Sequence, residues 1–126
     1  MRLLLDTAIL IWAFESPERL TRRATAALET TGNILELSAV SLSEIAIKQA
    51  REKIKLSASD TQQALKDLGI RILPYTADHA FALFELPLLH SDPFDRQIIA
   101  QSLTENIPIV TPDEKFSLYE GLRVIW

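Results

Sequence analysis

The stretch Leu3-Leu4-Leu5-Asp6-Thr7, near the start of the 126-residue chain, decides the fold class that the sequence predicts. Three consecutive leucines are typical of a short strand that is buried on both faces, as in a parallel sheet. A helix is predicted to follow over residues 6–14 and to end near Pro17. A strand followed directly by a helix is the first half of a βαβ unit.

Strands and helices continue to alternate along the rest of the chain. Further strands are predicted over residues 34–39, 70–73, 107–110 and 122–125. The helices between them are predicted from capping residues, prolines and helical spacing, and they start near Thr21, Ser41, Ser59, Ala77, Asp92 and Pro112. This order predicts an α/β fold, a three-layer α/β/α sandwich with a central parallel sheet of four to five strands. At this length we expect one domain, residues 1–126.

Three of the predicted helices carry further patterns. Ser41-Leu42-Ser43-Glu44 and the Ser59–Gln62 pair both have the spacing of a capping box, in which the later side chain bonds back to the start of the helix. The helix predicted over residues 77–85 places four apolar side chains on one face. These are Ala77, Ala80, Phe81 and Phe84.

The composition restricts the classes of protein to which the chain can belong. Apolar residues make up 48% and charged residues 24%, the balance of an ordinary globular domain. The absence of cysteine excludes disulfides, thiolate zinc sites, iron–sulfur clusters and a cysteine nucleophile, and it agrees with a cytoplasmic location. No apolar run approaches the roughly 20 residues of a spanning helix, so we expect no membrane segment. The net charge of −4 argues against bulk coating of nucleic acid, but it allows a nuclease whose site holds the acidic excess.

Acidic residues stand where the strands of the predicted sheet end. Asp6 directly follows the first strand, Glu44 lies in the helix after the second, and Asp113 follows the fourth. Asp92 and Asp95 open the helix before the fourth strand. Because the carboxyl ends of parallel strands meet at one edge of the sheet, these carboxylates are expected to converge. Such a cluster repels itself and requires a cation, for which oxygen-preferring Mg²⁺ or Mn²⁺ is the natural choice.

Each of these acids also has a structural explanation when it is taken singly. Asp6, Asp92 and Asp113 are placed to cap or open helices, and Glu44 fits the capping box at Ser41. The two histidines differ in placement. His79 is expected to be structural, whereas His90 is expected to tie down the loop that carries the acids or, alternatively, to lie near substrate. The basic stretch of residues 48–55 is interpreted as a solvated helix end.

Several other chemistries lack their motifs in this chain. There is no Gly-rich phosphate loop ending in Lys-Ser or Lys-Thr, no Gly-x-Gly-x-x-Gly, no Gly-x-Ser-x-Gly and no His-Glu-x-x-His. A haloacid-dehalogenase-like phosphatase would need a second aspartate two residues after Asp6, where Ala8 stands. A receiver domain would need its aspartate after the third strand, where the chain reads Leu73-Pro74-Tyr75.

Four segments together resemble PIN-domain proteins, and above all VapC-type ribonuclease toxins of toxin–antitoxin pairs. They are Leu3-Leu4-Leu5-Asp6-Thr7, residues 38–46, residues 86–101 with the specific run Asp92-Pro93-Phe94-Asp95-Arg96, and Val110-Thr111-Pro112-Asp113. The resemblance extends over essentially the whole chain. It implies a PIN-like fold and an endoribonuclease that depends on Mg²⁺ or Mn²⁺. It also implies a homodimer and a small VapB-like antitoxin bound across the toxin.

The resemblance also assigns roles to particular residues. By motif, Asp6, Glu44, Asp95 and Asp113 match the acids that hold the metal and carry the catalysis. Secondary candidates for the same site are Asp92, Thr7, Thr111, His90 and Arg96. Trp12 and Phe14 are candidate anchors for the antitoxin, with burial in the core as the alternative. The alternative function is a nuclease-inactive PIN-like or receiver-like α/β binding module, but an inactive scaffold would lack part of the acid set, which this chain retains.

Overall fold

The leucines of the opening stretch lie at the centre of a five-stranded parallel sheet in the computed structural model, which describes residues 1–126. The strands are β1 (Arg2–Leu5), β2 (Ile34–Ser38), β3 (Arg71–Leu73), β4 (Ile109–Val110) and β5 (Val124–Ile125). Their order across the sheet is β3-β2-β1-β4-β5, and all four neighbouring pairs are parallel. The predicted α/β fold with a parallel sheet of four to five strands is therefore confirmed.

Six α-helices connect these strands. They are α1 (Thr7–Glu15), α2 (Arg22–Glu29), α3 (Ala39–Ala50), α4 (Ala58–Leu68), α5 (Ala77–Ala82) and α6 (Pro93–Glu105). Short 3₁₀ turns cover Pro17–Arg19, Leu83–Glu85 and Glu114–Leu118. None of the helices combines the length and the apolar character needed to cross a membrane.

The core consists of two apolar layers on opposite faces of the sheet. Because side chains alternate along a strand, Leu3 and Leu5 enter one layer and Leu4 enters the other. The first layer also contains buried residues of α1, α2 and α4, and the second contains Ile98 and Ile99 of α6. Helix α3 contributes to both layers. This arrangement is the expected α/β/α sandwich.

The start of α3 differs from the prediction in a way that matters for the site. Ser38, the last residue of β2, caps the helix by accepting a hydrogen bond from the Val40 amide, so α3 begins before Ser41. Ser41 is instead buried, and its hydroxyl accepts a hydrogen bond from the Thr7 hydroxyl at 2.8 Å. The Ser41–Glu44 capping box was therefore a wrong prediction. Glu44 lies in the second turn of α3, where its carboxylate is free for other partners.

One further local prediction was wrong, and the apolar face predicted over residues 77–85 is exposed. The capping box of α4 is formed by Ser57 and Asp60, two residues earlier than predicted. The apolar face of α5 is not packed on the core, because Phe81 is 68% exposed and Phe84 is 83% exposed. Burial of α5 relies instead on His79, whose ring lies 3.0 Å from a Glu105 carboxylate oxygen. The structural role expected for His79 agrees with this position.

A paired charge network joins the sheet to α6 and α5. Glu36 of β2 is buried and forms ion pairs with Arg2 at 2.7 Å and Arg71 at 3.4 Å. Arg2 also contacts Glu105 at 3.2 Å, and Glu105 contacts His79. The hydrogen bond with His79, and then the contacts with Arg2, hold the pKa of Glu105 below its ordinary value. The charged form of Glu105 therefore stabilises the folded state.

We predict that Glu105→Gln lowers the free energy of unfolding by about 1 kcal/mol near pH 7, an estimate reduced because this carboxylate is partly exposed. The folded pKa is depressed, so the stabilisation is present above the unfolded pKa of about 4.3 and is lost as pH falls through the folded pKa. Urea denaturation from pH 7 to pH 3 should show the two proteins converging. Glu120→Gln, at an exposed glutamate without an ion pair, is the control. A difference that is independent of pH would contradict the assignment.

Candidate active site

Five carboxylates line one cavity of about 390 Å³ at the carboxyl ends of the central strands: Asp6, Glu44, Asp92, Asp95 and Asp113. They come from the end of β1, from α3, from the first turn of α6 and from the segment after β4. The remaining lining residues are Thr7, Ala8, Ile11, Trp12, Lys48 and Pro112. The structure thus brings together all the acids that the sequence placed at the strand ends.

Asp6 is at once a helix cap and a member of the cluster. Its Oδ1 atom accepts a hydrogen bond from the Ala8 amide at the start of α1, and its Oδ2 atom accepts one from the Thr111 hydroxyl at 2.6 Å. The Thr111 hydroxyl also accepts a hydrogen bond from the Asp113 amide, which links the two acids. Burial, the largest effect, raises the pKa of Asp6 above its ordinary value. The structural and functional interpretations of Asp6 do not exclude each other.

Glu44 is buried with one of its two oxygens lacking a partner. Its Oε2 atom lies 2.6 Å from the Lys48 ammonium, one turn later on α3, whereas Oε1 makes no hydrogen bond. An unpartnered carboxylate oxygen in a buried position is costly, so it calls for an explanation. A cation bound by Glu44 would supply the missing partner.

His90 connects the loop before α6 to two of the acids. Its Nδ1 atom accepts a hydrogen bond from the Asp92 amide at 3.2 Å, so the ring proton lies on Nε2 and the imidazole is neutral. The Nε2 atom lies 2.9 Å from Asp95 Oδ2 and 3.0 Å from Asp113 Oδ2. His90 therefore ties the loop before α6 to two of the acids, which agrees with the first of the two roles expected from the sequence.

Asp92 and Asp95 lie at the start of α6. Asp92 Oδ1 accepts hydrogen bonds from the amides of Phe94 and Asp95 and so caps the helix. Burial, and then repulsion from the other four carboxylates of the cavity, raises the pKa of Asp95 to about 8. The ionised form of the cluster is therefore under strong electrostatic strain without a further cation.

The donor set of the cavity fits a hard divalent cation. All the anionic groups are carboxylates, one buried oxygen of Glu44 has no partner, and repulsion raises the pKa of Asp95. Mg²⁺ and Mn²⁺ bind through oxygen ligands of this kind. His90, Asp95 and Asp113 also offer ligand atoms that all lie within 4.8 Å of one another. With the proton of His90 on Nε2, however, the carboxylates rather than the imidazole are the available donors.

The other residues selected from the sequence lie in different places. Thr7 and Trp12 line the cavity, and Thr111 contacts Asp6 directly. Arg96 does not line it: its guanidinium donates to the carbonyls of Leu86 and Pro87 and to the Tyr119 hydroxyl, so it holds the loop before α6. Phe14 is exposed at the end of α1 and does not belong to the core.

Trp12 lines the cavity and also contacts one arginine and one other tryptophan. The Arg19 guanidinium carbon is 3.8 Å from the centre of its ring, and the ring of Trp126 is 5.9 Å away. Trp12 is only partly buried, so one part of its ring remains available at the edge of the cavity. The interpretation as a residue fully buried in the core does not apply.

Lys48 is the residue of the cavity that the sequence analysis missed. It was assigned to a solvated helix end, but its ammonium faces the carboxylates. The signal was present in the four-residue spacing between Glu44 and Lys48, which places both on one face of a helix. The misplaced capping box at Ser41 concealed it, because that box gave Glu44 a different partner.

Comparisons with known proteins agree with the fold. No curated protein matches the sequence. The chain is similar to the structure of VapBC2 from Rickettsia felis bound to a DNA fragment from their promoter, with a TM-score of 0.73 and 20% identity over 98% of this chain and 97% of that chain. It is also similar to a toxin–antitoxin complex from Klebsiella pneumoniae, with a TM-score of 0.65 and 21% identity over 95% of this chain and 94% of that chain.

A third similar structure is VapBC-5 from Mycobacterium tuberculosis, with a TM-score of 0.63 and 17% identity over 98% of this chain and 97% of that chain. At these identities the structural similarity establishes the fold. The family is established by sequence, because the family model of the PIN domain matches residues 3–122. That match contains all five acids of the cavity, and the chain belongs to the PIN domain family.

Proposed function

We propose that the chain is a metal-dependent endoribonuclease of the cytoplasm and the toxin of a VapBC-type toxin–antitoxin pair. It would hydrolyse RNA phosphodiester bonds with Mg²⁺ or Mn²⁺ held by Asp6, Glu44, Asp95 and Asp113. The observation that carries the proposal is the convergence of the acids on one open cavity, with a buried Glu44 oxygen that has no partner. Membership of the PIN domain family and similarity to toxin–antitoxin complexes support it.

The bound ion would supply activation of water and stabilisation of the charge that develops at the phosphodiester. The side chains of the chain itself keep the carboxylates in place for that ion. Thr111 holds Asp6, Lys48 holds Glu44, and His90 holds Asp95 and Asp113. Because each acid has a partner that limits its rotation, the cluster is organised before substrate arrives. Asp92 contributes negative charge to the cavity, while its Oδ1 atom caps α6.

We predict that Asp95→Asn lowers the rate of RNA cleavage by on the order of 100-fold or more, because the amide retains the shape of the side chain but loses the charge that binds the ion. The measurement is cleavage of a mixed RNA pool with 5 mM Mg²⁺ or Mn²⁺, with single-stranded DNA as a parallel substrate. Glu29→Gln, at an exposed acid far along the chain from the cluster, is the matched control.

The fold of Asp95→Asn should survive, because the metal-free cluster already disfavours the ionised form of Asp95 and the amide has nearly the same shape. Circular dichroism and a thermal melt of the purified variant verify this. Full cleavage activity by folded Asp95→Asn would exclude the assigned role of Asp95. Cleavage of DNA but not RNA would contradict the proposed substrate, and absence of cleavage by the unmodified chain would favour the binding module.

The toxin role requires a partner that silences the nuclease. We predict that expression of the chain alone arrests bacterial growth, and that co-expression of the neighbouring reading frame as antitoxin restores it.

Trp12 is the proposed anchor for the antitoxin, since it is aromatic, partly exposed and at the edge of the cavity. Trp12→Ala should bind the purified neighbouring protein on the order of 10-fold more weakly. Phe14→Ala should weaken this binding less. Leu118→Ala, at another exposed apolar residue, is the control. Growth arrest that persists with Asp95→Asn would contradict a catalytic toxin.

An exposed apolar surface is available for the contact between the two copies of the proposed homodimer. Phe81, Phe84 and Leu88 are 68%, 83% and 81% exposed, and the two phenyl rings stack with centroids 6.1 Å apart. The rings alone expose roughly 300 Å² of apolar surface, comparable to the largest patch of a typical monomer. A second copy can cover such a patch with the same patch, as the two-fold symmetry of a dimer requires.

We predict that Phe84→Glu converts the dimer to a monomer, because two glutamates would face each other across the two-fold axis. Sedimentation or light scattering at 10–100 μM measures the mass. Phe14→Glu, which changes an exposed phenylalanine outside this surface, should leave the dimer intact. A dimer that survives Phe84→Glu would place the interface elsewhere, and a monomer at all concentrations without mutation would contradict the homodimer.

A further inference from the structure

Lys48 is the single lysine or arginine among the residues that line the carboxylate cavity. Its side chain is 39% exposed, and its ammonium lies 2.6 Å from Glu44 Oε2. An ordinary lysine side chain is protonated at neutral pH, and a carboxylate at this distance favours the charged form. Lys48 is therefore charged at neutral pH, and it lines the same cavity as the five acids.

An ordinary surface pair between residues four apart on a helix needs no explanation, because it contributes only a few tenths of a kcal/mol. The Glu44–Lys48 pair differs, since the Glu44 side chain is only 7% exposed and its second oxygen has no partner. His90 is neutral in its hydrogen-bonding arrangement and cannot replace the charge. Lys48 is the only cationic side chain that contacts this buried carboxylate.

In two-metal nuclease sites the ions lie about 3.5–4 Å apart and share carboxylates. The residues that would hold one ion in this cluster are Asp6, Glu44, Asp95 and Asp113. A second ion that shared Glu44 with the first would need space next to Glu44 Oε2, which the Lys48 ammonium already occupies. An ammonium so close to an anionic oxygen excludes a metal ion from that position by both volume and charge.

We propose that Lys48 is the built-in second cation of the carboxylate cluster, so that the cluster binds one divalent ion per chain. The inference rests on the proposed function, since it assumes that the cluster binds a metal. Lys48 is a positioning residue in this scheme: it acts through Glu44, which it holds with one oxygen left for the ion.

The test counts bound Mn²⁺ at pH 7.5 by electron paramagnetic resonance of the free ion. The chain without mutation should bind one Mn²⁺. Lys48→Met, of similar length without charge, should bind two, and Lys48→Gln, which retains a donor for Glu44, should also bind two. Lys48→Arg should bind one, as should Lys53→Met, the control at an exposed lysine after α3. The double variant Glu44→Gln with Lys48→Met should return to one, because the second ion loses its ligand.

A second readout is the thermal melt without metal. Lys48→Met leaves Glu44 without a countercharge, so it should melt about 4–8 °C below the parent, and added Mn²⁺ should recover more of the loss than in Lys53→Met. Two ions in the chain without mutation, or one ion in every variant, would overturn the role of Lys48 while leaving the metal site intact. No bound Mn²⁺ in the chain without mutation would overturn both this role and the proposed metal-dependent function.

Discussion

Repulsion among the carboxylates at the carboxyl edge of the sheet is the constraint on which the rest of this structure depends. Five such groups share one cavity, and the pKa of Asp95 rises to about 8 as a result of burial and this repulsion. The acids stay together because each is held from outside the cluster, by hydroxyls, amides, an imidazole or an ammonium. Folding energy from the two apolar layers sustains an arrangement that is locally unfavourable, as is common at functional sites.

The fold reduces this repulsion through its helix starts. Asp6, Asp92 and Asp113 each accept backbone amide hydrogen bonds at the beginning of a helix or 3₁₀ turn, where unpaired amides carry partial positive charge. In a parallel sheet the strand ends and the following helix starts meet at one edge. The same aspartates can therefore cap helices and face the cavity. Capping and chemistry, which compete as explanations in the sequence, coexist in the folded chain.

Two buried glutamates of the chain differ in how their charge is compensated. Glu36 in β2 is paired with both Arg2 and Arg71, so its charge is compensated within the protein. Glu44 in α3 has a single lysine, and one oxygen has no partner. Both residues are buried to a similar degree. The difference lies in the countercharge, and it supports the proposal that an external cation binds in the cavity rather than at the Glu36 network.

The sequence alone determined the order of strands and helices, the parallel sheet and the position of acids at strand ends, because local periodicity and turn residues report these directly. It could not determine the start of α3, since the choice between Ser38 and Ser41 as cap depends on the buried contact of Ser41 with Thr7. The tertiary structure likewise decided three further features. They are the exposure of Phe84, the contacts of His90 with two acids, and the position of the Lys48 ammonium in the cavity. Each depends on distances or packing between segments remote in the chain, or on which face of a helix meets the core, and periodicity carries no information about either.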